Sequence, residues 1–152
     1  MFMDRAVLAG LSLLLFTACS TSPSTSVEPE FNAPLVNVSL DESSNYWTLD
    51  RRSQVDARRA IGAPATSYEC RRAVLAYTVD SNGSVFDVEI VDAWPNEAAA
   101  RYFAAMQGQF RYDPTATNPD RIPIRTIGTQ TAFVRGADCE FPPMKGLSWP
   151  DE

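Results

Sequence analysis

Residues 73–91 read AVLAYTVDSNGSVFDVEIV, and this stretch decides the fold. Apolar residues alternate with small or polar ones on both sides of a polar break, which is the period-2 pattern of β-strands. Asn82-Gly83 in the break favours a tight hairpin turn, because these residues accept positive φ angles. Beyond it, Asp87 and Glu89 alternate with apolar residues and mark the solvent side of a sheet. The stretch predicts an antiparallel β-hairpin.

A helix and a third strand are predicted after the hairpin. Pro95 and Glu97 suit the first turn of a helix over residues 95–109. Its apolar residues recur at helical spacing and predict a stripe that faces the sheet: Ala99, Phe103, Met106 and Phe110. A polar loop then leads to a strand over residues 122–134. The apolar phase changes along this strand, which predicts a bulge near Arg125.

A short helix is predicted before the hairpin, from Ser53 to Ile61. Ser53 and Asp56 approximate a capping box at its start, and Gly62 supplies the stop. Four arginines cluster here and indicate a solvated helix face: Arg51, Arg52, Arg58 and Arg59. A site for an acidic partner is the alternative interpretation of this cluster.

The first residues of the chain resemble an export signal that ends in the lipobox of bacterial lipoproteins. A basic residue precedes the apolar run 6–16, which is too short to span a bilayer, where about 18–20 apolar residues are needed. Thr-Ala-Cys at 17–19 follows this run. The resemblance implies that Cys19 is acylated and that residues 1–18 are removed. Ordinary signal cleavage after Ser20 is the alternative.

The composition is that of an acidic, globular domain. Hydrophobic residues make up 45% of the 152 residues, which suits a packed core rather than a disordered chain. The net charge of −6 argues against a surface that binds nucleic acid or phosphate. The chain contains no histidine, which removes the commonest general base and the commonest metal ligand. We therefore expect neither a metal nor another cofactor.

The organisation predicted for the mature chain is a tether, one domain and a tail. Residues 19–44 are rich in small polar residues and prolines, which predicts a flexible tether that keeps the domain near its membrane. Residues 35–40 are more apolar and could add a short strand. The domain is then expected over residues 45–139, and a C-terminal tail over 140–152.

The cysteines predict both a disulfide and a strand order. Once Cys19 is assigned to lipid, Cys70 and Cys139 form an even pair in an exported protein, which favours a disulfide. Two unpaired buried thiols are the alternative. Cys70 begins the first strand and Cys139 follows the last, so the pair closes when these two strands are antiparallel neighbours. We therefore predict an α+β fold of ββαβ type, with a three-stranded antiparallel sheet in order 2-1-3 packed on one helix.

Hairpin, helix and strand in this order resemble the C-terminal domain of the TonB family, the energy transducers of the bacterial envelope. The likeness covers about residues 70–134. Val74–Asp80 with Asn82-Gly83 resembles the family's first strand and turn. Phe110–Pro114 resembles its W-R-F-x-P segment, and Gln130–Phe133 resembles its final β segment. The transducers carry a membrane-spanning helix and a long spacer where this chain has a signal and a short tether. The resemblance therefore implies the binding end of the family without energy transduction.

The resemblance also implies a binding surface, because the family binds short peptide segments by strand addition at a sheet edge. The candidate partner-binding residues lie on one face of the last strand: Arg125, Ile127, Thr129, Thr131 and Phe133. The alternative is that the tail 140–152 covers this edge. We expect a non-enzymatic, lipid-anchored protein of the Gram-negative outer membrane. It would face the periplasm and bind an envelope protein there.

Two other functions compete with this hypothesis. A structural lipoprotein could self-associate through the same edge. A small periplasmic hydrolase would need paired carboxylates for acid–base chemistry, and the candidate pairs are Asp87 with Glu89 and Asp113 with Asp120. The first pair is more typical of the solvent face of a sheet, and the second of a loop. The chain has no histidine and no GxSxG motif, which argues against the hydrolase.

Overall fold

The protein is described by a computed structural model over residues 28–62 and 70–144. Its elements follow in the order β1 (Val36–Asn37), α1 (Leu40–Ser43), β2 (Trp47–Leu49), α2 (Arg51–Ile61), β3 (Cys70–Val79), β4 (Val85–Trp94), α3 (Glu97–Gln107), β5 (Tyr112–Pro114) and β6 (Ile124–Phe133). The α+β class is confirmed. The predicted signal 1–18 and the lipidation site Cys19 lie outside the described residues. None of the described helices is long and apolar enough to cross a membrane.

The main sheet has the strand order β1-β6-β3-β4. Strand β3 pairs antiparallel with β4 and with β6, and its ends Cys70 and Val79 lie opposite Phe133 and Ile124. The predicted first, second and third strands are β3, β4 and β6, and their observed order is the predicted one, with β3 between the other two. The prediction of a three-stranded sheet is wrong, however, because β1 adds a fourth strand. It pairs in parallel with the start of β6, where Val36 lies opposite Ile124. A separate small sheet joins β2 and β5.

Residues 28–44 pack on the domain, which differs from the expected flexible tether. Val38 is buried in the core next to β1. Further towards the N-terminus, the buried carboxylate of Asp80 accepts a hydrogen bond from the Glu30 N–H at 3.1 Å, and the Ser81 N–H donates to the Glu30 carbonyl. These are mostly backbone contacts, which a polar, proline-containing segment makes as well as an apolar one. Composition therefore does not reveal them.

The predicted bulge near Arg125 is wrong, because β6 keeps a continuous register with β3 along its whole length. The register shifts lie instead between β3 and β4, where Asp87 adopts a positive φ of 51°. The change of apolar phase in β6 has another cause. Thr126 and Ile127 are buried on opposite faces of the sheet, so apolar and polar positions do not alternate there.

Helix α3 packs on the inner face of the sheet. The predicted stripe is confirmed, since its four members are buried: Ala99, Phe103, Met106 and Phe110. Phe103, Met106 and Phe110 belong to one core cluster with the inner residues of β3, which are Ala73, Leu75, Tyr77 and Val79. On the outer face, Val74, Ala76 and Ile127 form a second, smaller cluster. Strand β3 is thus buried on both faces and forms the centre of the domain.

Helix α2 begins earlier than predicted. Its N-cap is Asp50, whose side chain accepts a hydrogen bond from the Arg52 N–H, so the prediction of Ser53 as the cap is wrong. The Ser53 hydroxyl instead accepts a hydrogen bond from the Arg111 N–H at 2.9 Å, which ties α2 to the chain just before β5. Gly62 ends the helix as predicted, with a positive φ of 75°.

The predicted disulfide is confirmed, since Cys70 and Cys139 are bonded with their Cα atoms 5.7 Å apart. It places the start of the tail on the outer face of the sheet. The Phe141 ring contacts the Trp94 ring edge-on at 5.6 Å, and the Arg72 guanidinium donates to the Pro142 carbonyl at 2.8 Å. The described part of the tail therefore crosses this face and does not pair as a strand with β6. Residues 145–152, the rest of the tail that was considered as a cover for this edge, lie outside the described residues.

Candidate functional site

Within the described residues, one edge of β6 is covered by another strand only at its beginning. The Val36 and Val38 N–H groups donate to the Pro123 and Arg125 carbonyls at 3.1 and 3.0 Å, so these carbonyls point away from β3. In a regular strand, every second residue turns its N–H and C=O to the same side. The corresponding groups of Thr129, Thr131 and Phe133 therefore point to this same edge.

Within residues 28–62 and 70–144, no strand pairs with β6 at this edge beyond Arg125, while β3 occupies the opposite edge. Helix α1 approaches β6 beside Ile127, which limits the uncovered length. We call residues 129–133 the free edge. No strand in the described part of the chain occupies its outward N–H and C=O groups, which are of the kind that hydrogen-bond to an added strand.

A groove of about 550 Å³ lies beside the free edge. Its β6 wall runs from Gly128 to Ala132, so the groove opens along the free edge. Aromatic rings from three neighbouring elements and the loop before β5 line much of the rest: Tyr77, Tyr102, Phe103, Phe110 and Tyr112. Leu40 of α1 and Leu49 of β2 also line the groove. An extended chain placed on the free edge would turn alternate side chains towards these residues.

Four polar side chains form a connected hydrogen-bond chain in the groove wall. The Gln130 side-chain amide donates to the side-chain oxygen Oε1 of Gln107, the Gln107 side-chain amide donates to the Tyr112 hydroxyl at 3.0 Å, and the Tyr112 hydroxyl donates to the Tyr77 hydroxyl at 3.3 Å. The rings of Tyr77 and Tyr112 are stacked with their centroids 6.3 Å apart. Gly128 makes room for Tyr77, because a Cβ there would lie 3.2 Å from that ring. The wall is therefore held in one arrangement before any ligand arrives.

Burial raises the pKa of both tyrosines above the ordinary value, because a buried phenolate would lose its hydration. The folded protein therefore holds these protons more tightly than the unfolded chain, whose tyrosines titrate near pH 10. We expect the free energy of unfolding to fall above about pH 10, by about 1.4 kcal/mol per pH unit for each phenol that stays protonated. Urea unfolding between about pH 8 and about pH 11 measures this slope.

The matched control for this prediction is the double variant Tyr77→Phe/Tyr112→Phe. It lacks both phenols, so its stability should decline less steeply over the same pH range. Equal slopes in the two proteins would contradict the prediction.

The five residues predicted on the last strand lie on its outer face, and they differ in accessibility. Arg125 lies opposite Asn37 of β1 and forms an ion pair with Glu89 at 3.4 Å. Ile127 is buried in the outer cluster. Thr129, Thr131 and Phe133 are exposed and belong to the free edge. A role in partner binding stays a prediction for all five residues.

The residues of the groove wall were not predicted as a site. Tyr77 has the pattern of one more member of an apolar strand, and Gln107 belongs to no motif in the sequence. Tyr112 and Gln130 lie in the segments Phe110–Pro114 and Gln130–Phe133, whose family resemblance indicates the fold and assigns no role to either side chain. They come together because α3 and β5 pack beside β3 and β6.

The carboxylate pairs considered for a hydrolase do not line the groove. Asp87 and Glu89 are exposed on β4, and Asp113 and Asp120 are exposed in β5 and in the loop that follows it. Among the described residues, no group of three or more His, Cys, Asp or Glu side chains is placed to hold a metal ion.

Comparison with solved structures finds a likeness to the C-terminal domain of TonB from Pseudomonas aeruginosa, whose structure was determined by solution NMR. The TM-score is 0.47 and the sequence identity is 13%. The likeness covers 66% of this chain and 97% of the TonB domain. No family model matches the chain, and no curated protein matches it.

Proposed function

We propose that this protein binds an extended segment of a partner protein as an added strand on the free edge, residues 129–133. The observation that carries the proposal is a row of backbone groups on β6 that no described strand covers and that opens onto a preformed groove. An added strand would hydrogen-bond to the N–H and C=O groups of Thr129, Thr131 and Phe133. Its alternate side chains would enter the groove, which provides selectivity beyond the backbone contacts.

The covered part of the same edge supports this proposal. Strand β1 already pairs there with Ile124 and Arg125, and the chain then turns away into α1. The edge therefore accepts a short strand and leaves space for another one beyond Ile127. Five strand residues extend over roughly 17 Å, so the bound segment would be short.

We also propose that the protein is anchored by lipid on Cys19 and faces the periplasm from the outer membrane. The resemblance of residues 1–19 to a lipoprotein signal supports this location. The disulfide between Cys70 and Cys139 agrees with it, since disulfides persist in exported proteins. The partner would then be an envelope protein. The proposed activity is binding, without a role as an energy transducer.

Thr131→Pro should weaken binding at the free edge and leave the fold intact. The Thr131 N–H points away from β3, so proline there removes a donor for the added strand and spares the β3–β6 ladder. Short peptides selected from a random display library on the full-length protein serve as probes. We expect the variant to bind them at least about tenfold more weakly, which corresponds to about 1.4 kcal/mol.

Two control variants complete this test. Thr131→Ala keeps the N–H and should bind the selected peptides like the parent protein. Gln130→Pro should unfold or strongly destabilise the domain, because the Gln130 N–H points to β3. Unchanged peptide binding by Thr131→Pro would place the binding site elsewhere. A concentration-dependent dimer that this variant abolishes would instead identify a second copy of the chain as the added strand.

A further inference from the structure

The free edge carries none of the features that protect exposed strands in native proteins. Such strands are protected by charged side chains, by proline or by a bulge, because an open row of N–H and C=O groups pairs readily with another strand. From Thr126 to Val134 the chain has no charged residue and no proline, and β6 keeps a regular register with β3. A protein with this edge needs a cover for it whenever the partner is absent.

The C-terminal tail reaches the free edge within the described residues. At Phe141 it contacts the Trp94 ring of β4. It then crosses β3, where it accepts a hydrogen bond from the Arg72 side chain. At Met144 it lies beside β6, where the Thr129 hydroxyl donates to the Met144 sulfur at 3.6 Å. The tail therefore runs across the outer face of the sheet towards the free edge, and its described part ends there.

Three contacts hold the tail on this path. The disulfide fixes Cys139. The buried Arg72 side chain donates to the tail backbone, and its guanidinium lies 5.5 Å from the centre of the Phe141 ring. The residues after Met144 therefore start from a fixed position next to β6. A segment held this close has an effective concentration on the order of millimolar, so an affinity of about that size is enough to occupy the edge.

The sequence of residues 145–149 fits the space beside the free edge. Five extended residues span roughly 17 Å, which is also the span of residues 129–133. Pro150 follows directly and ends such a strand, because it lacks an N–H. Leu147 and Trp149 are two residues apart, so an extended chain turns them to the same side. The aromatic lining of the groove would bury both side chains there.

We infer that residues 145–149 add to the free edge as an intramolecular strand, which must leave before a partner segment binds. This inference rests on the proposed strand addition and adds its regulation. Helix α1 closes the path beside Ile127, so the segment would run from Thr129 towards Phe133. It would be parallel to β6, as β1 is at the other end of the same edge. The tail is then a competitor that reserves the site for partner segments that pair more strongly.

The first test compares peptide binding by the full-length protein and by the double variant Leu147→Ser/Trp149→Ser in a neutral detergent. The variant lacks the tail side chains that would fill the groove. We therefore expect it to bind the selected peptides at least about tenfold more tightly in fluorescence anisotropy. Asp151→Asn/Glu152→Gln is the matched control, because it changes the tail beyond Pro150 and should leave the affinity unchanged. Circular dichroism checks that each variant is folded.

The fluorescence of Trp149 tests the position of the tail without any peptide. A tryptophan emits at longer wavelength in water than in an apolar groove, and the same protein with Trp149→Phe provides the spectrum to subtract. Thr131→Pro removes a donor for the tail strand and should shift the Trp149 emission to longer wavelength. Thr131→Ala keeps the donor and should not. In the parent protein, a saturating selected peptide should produce the same shift as Thr131→Pro.

The outcomes separate this inference from the proposed function. Equal peptide affinity in the parent protein and in Leu147→Ser/Trp149→Ser would overturn the inference and leave strand addition standing. A Trp149 emission that Thr131→Pro leaves unchanged would do the same. Tighter binding by the double variant that persists when Thr131→Pro is added would overturn both, because the tail would then cover another site. An emission that changes on dilution of the protein would identify the tail of a second copy as the occupant and overturn the intramolecular strand.

Discussion

Replacing Gly83 by alanine is expected to lower the free energy of unfolding by about 3 kcal/mol or more. Gly83 lies in the β3–β4 turn with a positive φ of 77°, and an added Cβ would come within 1.9 Å of the Tyr112 carbonyl oxygen. That oxygen belongs to backbone, which cannot move aside as a side chain can. The Tyr112 N–H also donates to the Gly83 carbonyl at 2.9 Å. The substitution must therefore separate the turn from β5.

Gly136→Ala is the matched control for this prediction. Gly136 also has a positive φ, 91°, but a Cβ there would meet no atom within 4 Å. Its replacement should cost only the backbone strain of the left-handed region, about 1 kcal/mol. Urea unfolding of the three proteins measures the difference. Equal losses of unfolding free energy in the two variants would show that the clash with Tyr112 is not the cause of the destabilisation.

Gly83→Ala is also expected to weaken peptide binding, because Tyr112 is part of the groove wall. The displaced β5 would carry the Tyr112 ring away from Tyr77 and Gln107. Binding of the selected peptides at low temperature, where the variant is still folded, separates this effect from unfolding. Gly136→Ala should bind the peptides like the parent protein.

Removing the disulfide should cost about 4 kcal/mol in the double variant Cys70→Ala/Cys139→Ala. The bond closes a loop with a sequence separation of 69 residues. In the chain-entropy model, its loss increases the conformational entropy of the unfolded chain, which lowers the free energy of unfolding by about 4 kcal/mol. The bond also fixes the point from which the tail reaches Trp94 and Arg72. Loss of those outer-face contacts would lower the free energy of unfolding further.

A reductant provides the internal control for the disulfide prediction. Dithiothreitol should bring the stability of the parent protein down to that of the double variant, whose own stability should not change. Unfolding in urea with and without the reductant measures both effects. If the reduced and oxidised parent proteins unfold at the same urea concentration, the disulfide does not stabilise this fold.

Most of the central fold could be predicted because its signals are local. Alternation over residues 73–91 predicts the hairpin, and the helical spacing from Ala99 to Phe110 predicts the face that α3 buries. The order of the three long strands followed from one long-range signal, the pair Cys70 and Cys139. A disulfide restricts which strand ends can be neighbours, so two residues were enough to choose the order.

The short strand considered within residues 35–40 is present as β1, but its partner β6 and the groove could not be predicted, because they depend on contacts between distant segments. Strand β1 pairs with β6 through backbone groups, which every residue except proline carries in full, so its side chains do not indicate its partner. Gln107 and Gln130 meet only when α3 lies on the sheet. A glutamine in a helix or a strand is equally common on an ordinary polar surface, so neither residue indicates a groove wall in the sequence.

In the candidate site, too, some features follow from the local sequence pattern and others from contacts between distant segments. Alternation along the last strand was enough to place Thr129, Thr131 and Phe133 on one face, because a strand turns successive side chains to opposite sides whatever surrounds it. Which part of that strand is left uncovered depends on β1 and α1, and the groove beside it depends on α3 and β5. Local periodicity thus shows how a strand is oriented. Its uncovered edge and the groove beside it arise from packing among segments far apart in the chain.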